Sequence, residues 1–467
     1  MQKLTKIVAT LGPATETEEI MADLIKAGMN IARFNTKHGT PEWHLERIRR
    51  VKKVARELNE SVGVLLDLQG PEIRINLKDG EAFDLKKGEQ ARFVSGKPNE
   101  KEMNIPQLVI EAIQVGDLVS VDDGICEFKV EARTKDSLTV KALSDFTVKH
   151  RKTMNTPGIV INMPSLIDND LVQLDNMTDQ DIDFVGLSFV RNAKDIAILR
   201  DELKKRNLHC DVISKIENQA ALDNLDEIIE ASDGIMVARG DLAVEVPFEQ
   251  LIYWQKLIIE KCRISGKPVI TATQMLESMT FNPLPTRAEV SDVANAIYDG
   301  TDAVMLSGET TLGKYPVKCV ATQAKIAAFN ETSADNYLWD FAGMESVHGI
   351  AYAAFTLLEH QGDDIDKIVL LTRTGRTAKI FSRFRSTIEV KALTANPVAY
   401  NKLSIAYGVD PILTEPELFH YQTEEELLES LKAKQVTKKG EKILLIASFA
   451  GDLDKRRTDS LSLLEIK

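Results

Sequence analysis

Residues 211–242 read DVISKIENQAALDNLDEIIEASDGIMVARGDL. The stretch holds a short apolar run, Asp211–Lys215, then an amphipathic segment, Gln219–Glu230, then a second apolar run, Gly234–Ala238. Each run gives way to charged residues. Short, near-continuous apolar runs separated by helical periodicity are the pattern of parallel strands buried on both faces under helices. The unit recurs outward in both directions. Runs at Lys6–Thr10, Asn30–Phe34, Gly63–Asp67, Asp183–Ser188, Pro268–Thr273 and Asp302–Ser307 bring the total to eight. Helical segments at 16–27, 41–59, 193–206, 248–265, 286–298 and 316–330 separate them. Eight such units predict an α/β chain whose main body is a (β/α)₈ TIM barrel. A doubly wound open sheet shares the alternation and is the competing architecture, because alternation does not show closure.

The rhythm breaks after the third run. Residues 75–150 carry turn signals at Lys78-Asp79-Gly80, Lys87-Gly88, Val115-Gly116-Asp117 and Asp123-Gly124, with short alternating runs such as Ile125–Val130 between them. This predicts a small β-barrel inserted in a strand-to-helix loop, on the face where such barrels keep their chemistry, and placed to act as a lid. Beyond about residue 333, strand-like runs at Lys367–Thr372, Glu389–Leu393, Pro411–Leu413, Lys442–Ala447 and Ser460–Ile466 alternate with helical segments. They predict an open α/β domain. The expected division is barrel 1–70, lid 71–152, barrel 153–333 and C-terminal domain 334–467.

Of 467 residues, 43% are hydrophobic and 28% charged, which suits a globular chain with a substantial core. Lys and Arg number 58 against 71 Asp and Glu, a net charge of −13. That balance argues against nucleic-acid binding, which needs a basic face. No apolar run reaches the roughly 20 residues needed to cross a bilayer. The start, MQKLTKIVATLGPAT, reads as strand and turn, and a cytoplasmic location is expected. The cysteines, Cys126, Cys210, Cys262 and Cys319, are widely spaced, which argues against structural zinc and disulfides.

The predicted strand ends are unusually polar: Arg33-Phe34-Asn35-Thr36-Lys37-His38, then Asp67, Ser188, Lys215-Ile216-Glu217, Arg239-Gly240-Asp241 and Thr273. Lys215 and Glu217 are two apart, so on one strand they share a face. Glu217 and Asp241, from adjacent strands, can converge. Two carboxylates without His or Cys suit a hard cation, Mg²⁺ or Mn²⁺; an ordinary Lys215–Glu217 ion pair is the simpler alternative. Neither GxxxxGK[ST] nor GxGxxG occurs, so bound phosphates would be held by side chains and metal. Arg33, Lys37, Arg74, Lys152, Lys215 and Arg239 form a local basic cluster suited to a phosphoryl group.

At these strand ends the sequence resembles the pyruvate kinase family. TKIVATLGPAT at 5–15, GPEIR at 70–74, SKIEN at 214–218, ASDGIMVARGDL at 231–242, ATQMLESM at 272–279, PTRAEVSDVANA at 285–296 and MLSGET at 305–310 all fit, in order. The resemblance implies a homotetramer that converts phosphoenolpyruvate and ADP into pyruvate and ATP. Glu217 and Asp241 then correspond to the ligands of the divalent cation. Lys215 corresponds to the group stabilising charge on the phosphoryl and enolate oxygens, and Thr273 to the one helping deliver a proton through water. Gly240 and Asp241 face the substrate, and Arg33 its phosphate. Arg74, Lys152, His38 and Asn35 match nucleotide-side positions, although RKTMNTPG around Lys152 departs from the family's KKGVNLPG.

Other departures are informative. RFNTKHG stands where the family has RxNFSHG, so Lys37 replaces a serine that helps bind K⁺ beside Asn35, Asp67 and the backbone of Leu68. An ammonium group there supplies the charge itself, and reduced dependence on K⁺ is expected. Glu72 points the other way, because it is typical of K⁺-dependent members. Gln69 stands for a common Lys and Ala243 for a common Gly. TRTGRTA at 372–378 resembles the family's phosphate loop for a sugar-phosphate effector, with Thr372, Thr374, Arg376 and Thr377 as candidates. The loop before the last strand, AGDLDKRRTDS, keeps only Gly451 where the family is Gly-rich, and its Lys455, Arg456 and Arg457 suit either an acidic effector or a plain surface. Two competing functions remain: a catalytically weak paralogue that binds phosphometabolites, and a metal-dependent lyase or aldolase, which needs neither lid nor nucleotide-side cations.

Overall fold

The computed structural model describes residues 3–334, 346–419, 421, 423–447, 458 and 460–467. Eight parallel strands close into a barrel in the order first, eighth, seventh, sixth, fifth, fourth, third, second. They are Lys6–Thr10, Ile31–Asn35, Gly63–Asp67, Phe184–Leu187, Asp211–Ile216, Gly234–Ala238, Val269–Ala272 and Ala303–Leu306. Closure settles the architecture in favour of the (β/α)₈ barrel over the open sheet. The apolar strands bury both faces. Val8, Ile31, Leu65, Phe184, Ile213, Met236, Ile270 and Met305 form one cluster, which Ile405 of the C-terminal domain joins. A larger shell of helix side chains packs outside.

The helices lie within a residue or two of expectation, with one exception. The segment 219–230 is two helices, Gln219–Asp223 and Leu225–Ala231. The chain breaks at Asn224 (φ −110°, ψ 24°), whose side-chain amide donates to the carbonyls of Arg191 and Ala220.

The insertion between the third and fourth barrel strands folds as a seven-stranded sheet with a two-stranded ribbon beside it. The expected small barrel is therefore a partly open one. Its own core is centred on Phe93, Phe128, Leu138 and Val140. After residue 345 a five-stranded sheet forms, four strands parallel and the last, Ser460–Glu465, antiparallel to its neighbour Lys442–Ala447. Two ion clusters, one buried and one half-buried, fasten this domain beneath the barrel. Arg385 grips Asp302 bidentately at 3.0 and 2.9 Å. Lys379 and Lys402 both meet Asp211, at 2.5 and 2.6 Å.

Candidate active site

The parallel register sets the candidate residues at one level. Asn35 is opposite Asp67, and Asp67 is opposite Gly186. A Cβ at position 186 would come within 2.8 Å of an Asp67 carboxylate oxygen, so only glycine lets that carboxylate lie flat against the fourth strand. Asp67 is fully buried and accepts from Arg33 Nε at 2.7 Å, while Arg33 Nη1 donates to Thr10 Oγ1 at 2.8 Å. Burial alone would push the Asp67 carboxyl up, but Lys215 and Arg33 hold it below the usual carboxylate range.

Lys215 lies between two carboxylates, with Nζ 2.7 Å from Glu217 and 3.4 Å from Asp67. It also donates to Ser188 Oγ at 2.8 Å. Burial would strip its proton; Asp67, Glu217 and Asp241 together keep it more firmly protonated than a free lysine. The fifth strand ends at Ile216, so Glu217 is one residue past it. The other Glu217 oxygen accepts the backbone N–H of Phe189 at 2.6 Å. Burial pushes the Glu217 carboxyl up, Lys215 pulls it down and Asp241 pushes it up again, with a net upward result. The ion pair that was the simpler reading of Lys215 and Glu217 is thus present, but it is embedded in a larger cluster.

The sixth strand turns directly into the helix Arg239–Glu245, so Asp241 belongs to a first helical turn and not to a strand extension as its sequence position suggested. Gly240 N–H donates to Thr273 Oγ1 at 2.8 Å. Thr273 and Gln274 both have positive φ, +72° and +55°. A β-branched residue in that region costs on the order of 1–3 kcal/mol. Arg239 holds the strained turn by donating to the carbonyls of Ala272 and Thr273, and it pairs with Asp292 at 2.7 and 2.8 Å. Its guanidinium is spent on this bracing, which corrects its expected place in an anion-binding cluster.

The remaining candidates surround the lid's root. Lys37 Nζ is 3.4 Å from Glu72 and 5.9 Å from the centre of the Phe189 ring. Its own N–H is turned to Asn35 Oδ1 at 3.1 Å. Glu72 also accepts from Arg74 at 2.8 Å and Thr153 at 2.6 Å, so both passages of chain into the lid meet on it. Lys152 pairs with Asp122 of the lid at 2.7 Å, and the His38 side chain is exposed. Leu68 O accepts from Ser188 Oγ at 2.6 Å. Ser188 and the Phe189 N–H escaped the sequence reading of roles. By sequence Ser188 is only a polar strand end, and a backbone N–H carries no residue signature.

Far from this cluster, Gly375 (φ +81°) donates its N–H to Thr372 Oγ1 at 3.0 Å, and Thr377 shares a hydrogen bond with Thr458 at 2.7 Å. Thr374 and Arg376 flank Gly375 in sequence. Lys455, Arg456 and Arg457 lie outside the described residues.

Among the described residues, no group of three or more His, Cys, Asp or Glu side chains is arranged to hold a metal. The donor set nonetheless fits a hard cation. Glu217 and Asp241 are mutually repelling carboxylates, and a cation between them relieves the repulsion while leaving positions for substrate oxygens and water.

Family models for "Pyruvate kinase, barrel domain" and "Pyruvate kinase, alpha/beta domain" match residues 2–320 and 348–463. A pyruvate kinase of Staphylococcus epidermidis is 41% identical over 427 residues, covering 88% of this chain and 72% of the relative. One from Geobacillus stearothermophilus is 40% identical over 439 residues, covering 92% and 74%. A crystal structure of a pyruvate kinase from Cryptosporidium parvum superposes with a TM-score of 0.89 at 32% identity, covering 100% of this chain and 97% of that one.

Proposed function

The chain belongs to the pyruvate kinase family and catalyses the glycolytic transfer of a phosphoryl group from phosphoenolpyruvate to ADP; from that premise we propose how its residues divide the work. The observation that carries the proposal is the buried lysine, Lys215, held at 2.7 Å from Glu217 at the C-terminal rim of the barrel. Glu217 and Asp241 are the residues that would hold a divalent cation, Mg²⁺ or Mn²⁺. When bound, that ion supplies Lewis-acid stabilisation of charge on phosphoryl and enolate oxygens. Lys215, kept protonated by its three carboxylates, is placed to stabilise the same charge. Arg33, anchored by Asp67 and Thr10, faces the substrate phosphate. Gly240 offers backbone to the substrate carboxylate, and Asp241 shares that side of the site.

Once the phosphoryl group has passed to ADP, the enolate it leaves behind needs a proton. Thr273 Oγ1, fixed by the Gly240 N–H, is the group placed to deliver it through water. Arg74, Lys152, His38 and Asn35 line the nucleotide side, with Lys152 on the connection that leads into the strand Met154–Asn155. The lid excludes water that would otherwise accept the phosphoryl group. Lys37 takes the part of a monovalent cation beside Asn35, Asp67 and Leu68 and lessens the need for K⁺. Thr372, Thr374, Arg376 and Thr377 form a candidate phosphate-effector loop, to be tested by calorimetry with sugar phosphates. The working form is a homotetramer.

A coupled lactate-forming assay, run with and without Mg²⁺, across K⁺ concentrations and several nucleoside diphosphates, tests the core of the reading. Pyruvate formation that needs both ADP and a divalent cation is expected. Turnover that persists in a chelator would overturn the metal assignment.

A further inference from the structure

A cavity of about 120 Å³ lies at the root of the lid, where the chain leaves the barrel and returns to it. Its apolar wall is built by Ile73, Ile159 and Met163 from the crossing segments and by Phe189 from the barrel. An engineered apolar cavity of about 150 Å³ takes up benzene, so this space suits a single ring or a branched alkyl group. None of the residues assigned above to substrate, nucleotide or metal lines it.

The cavity nevertheless touches the supports of the site. Phe189, one wall, donates the N–H that holds Glu217. Glu245, another wall, ends the short helix that carries Asp241, and it accepts at 3.3 Å from Nδ2 of Asn155, which lies past the expected lid boundary but pairs with Ser120 in the lid sheet. Cavity and lid contact are therefore made by the same residues.

The charges around it are unbalanced. Glu245 and Asp223 bring two carboxylates. The cation at the wall, Arg191, is spent on Asp195, at 2.9 and 3.1 Å, and on the carbonyls of Ile161 and Met163. Burial pushes the Glu245 carboxyl up, with the Asn155 hydrogen bond opposing it, so a cation placed here meets a poorly solvated anion.

We propose that this hinge cavity binds a small hydrophobic ammonium ion, one aromatic ring or branched alkyl group bearing a single amine, and that its occupant holds the lid against the barrel. The amine pairs with Glu245 and the apolar part packs on Ile73, Ile159 and Phe189. A ligand favours the conformation that contains its site. Lid opening must precede product release, so an occupied hinge slows turnover without competing for the substrate.

The test uses the full chain with benzylammonium as probe and benzyl alcohol as its neutral counterpart of similar shape. Calorimetry is expected to show one benzylammonium site per chain and at least tenfold weaker binding of the alcohol. Benzylammonium is expected to lower kcat at saturating substrates without raising the KM for phosphoenolpyruvate. Ile159→Trp, which fills the space, and Glu245→Gln, which removes the charge, should each weaken binding at least tenfold. Absence of binding, equal binding of the two probes, binding untouched by Ile159→Trp, or inhibition competitive with phosphoenolpyruvate would each overturn the proposal.

Discussion

Lys215 is a buried ammonium held by two carboxylates and the Ser188 hydroxyl, and that arrangement has consequences both for catalysis and for folding. Replacing it by methionine keeps most of the volume but leaves Asp67 and Glu217 without their shared cation. Removing one partner of a buried ion pair costs about 3–5 kcal/mol, and loss of one preorganised electrostatic group costs about 10²–10³ in kcat. Lys215→Met is therefore expected to lose at least 100-fold in kcat. Its melting temperature should fall in chelator and recover more in Mg²⁺ than that of the parent, because a divalent ion held by Glu217 and Asp241 would neutralise Glu217, one of the two carboxylates left unpaired. Steady-state kinetics and thermal melts check both, and a loss of less than tenfold would remove Lys215 from its assigned role. Lys37 makes a second prediction at this scale. With its ammonium 3.4 Å from Glu72, the parent should vary less than about twofold in activity when K⁺ is replaced by a bulky organic cation. Lys37→Ser should lose activity without K⁺ and regain it with K⁺. Strong K⁺ activation of the parent would refute the substitution of one cation for the other. Much of this site was legible because charged side chains at strand ends are conspicuous against apolar strands. What stayed hidden were contacts without a side-chain signature, the Phe189 N–H on Glu217 above all, and the bracing role of Arg239, which depends on Asp292 more than fifty residues away.

The elements themselves followed the apolar period closely, because a strand buried on both faces has few other ways to be written. The helix break at Asn224 was not visible. Its cause is a hydrogen bond to the Arg191 carbonyl, a long-range contact that local periodicity does not encode. The same limit applies to the start of the fifth strand. Asp211 reads as an ordinary strand-flanking residue, yet it receives Lys379 and Lys402 from the C-terminal domain. Burial pushes its carboxyl up, but the two lysines carry it down to about 2. A carboxylate with a depressed folded pKa contributes stability that is present above its unfolded value, near 4. That stability is lost as pH falls toward 2. The shift corresponds to about 2 kcal/mol by proton linkage. Asp211→Asn should accordingly be less stable than the parent by about that amount at neutral pH, and the gap should close between pH 4 and pH 2. Denaturant titrations across this range measure it, and a gap that persists unchanged at pH 2 would show that the lysines act through packing and not through charge.

At the scale of the molecule, the barrel carries several large, strongly exposed apolar side chains. Phe248 is 84% exposed, Phe281 and Leu312 69% each, and Leu284 67%. They follow the sixth, seventh and eighth strands in turn, so they occupy adjacent sectors of the ring. Scattered exposed apolar side chains are normal on a single chain, but large ones in neighbouring sectors are where a partner would bury the most apolar surface. Their partner is best read as a second copy of the chain, since a closed assembly buries the same patch on each subunit. The strained Thr273 turn and the Arg239–Asp292 brace lie on the seventh-strand loop and the helix Arg287–Tyr298 of the same sectors, so a contact made there would share a support with the catalytic geometry. Phe281→Glu combined with Leu312→Glu places charge on the patch without touching any residue assigned to substrate. The double variant is expected to sediment as a smaller species than the parent at equal concentration. It should also show a raised KM for phosphoenolpyruvate, with most of kcat retained at saturation. Sedimentation velocity paired with initial-rate kinetics decides the matter: an unchanged assembly would move the subunit contact to another face, and a smaller species with unaltered kinetics would separate assembly from the geometry of the site.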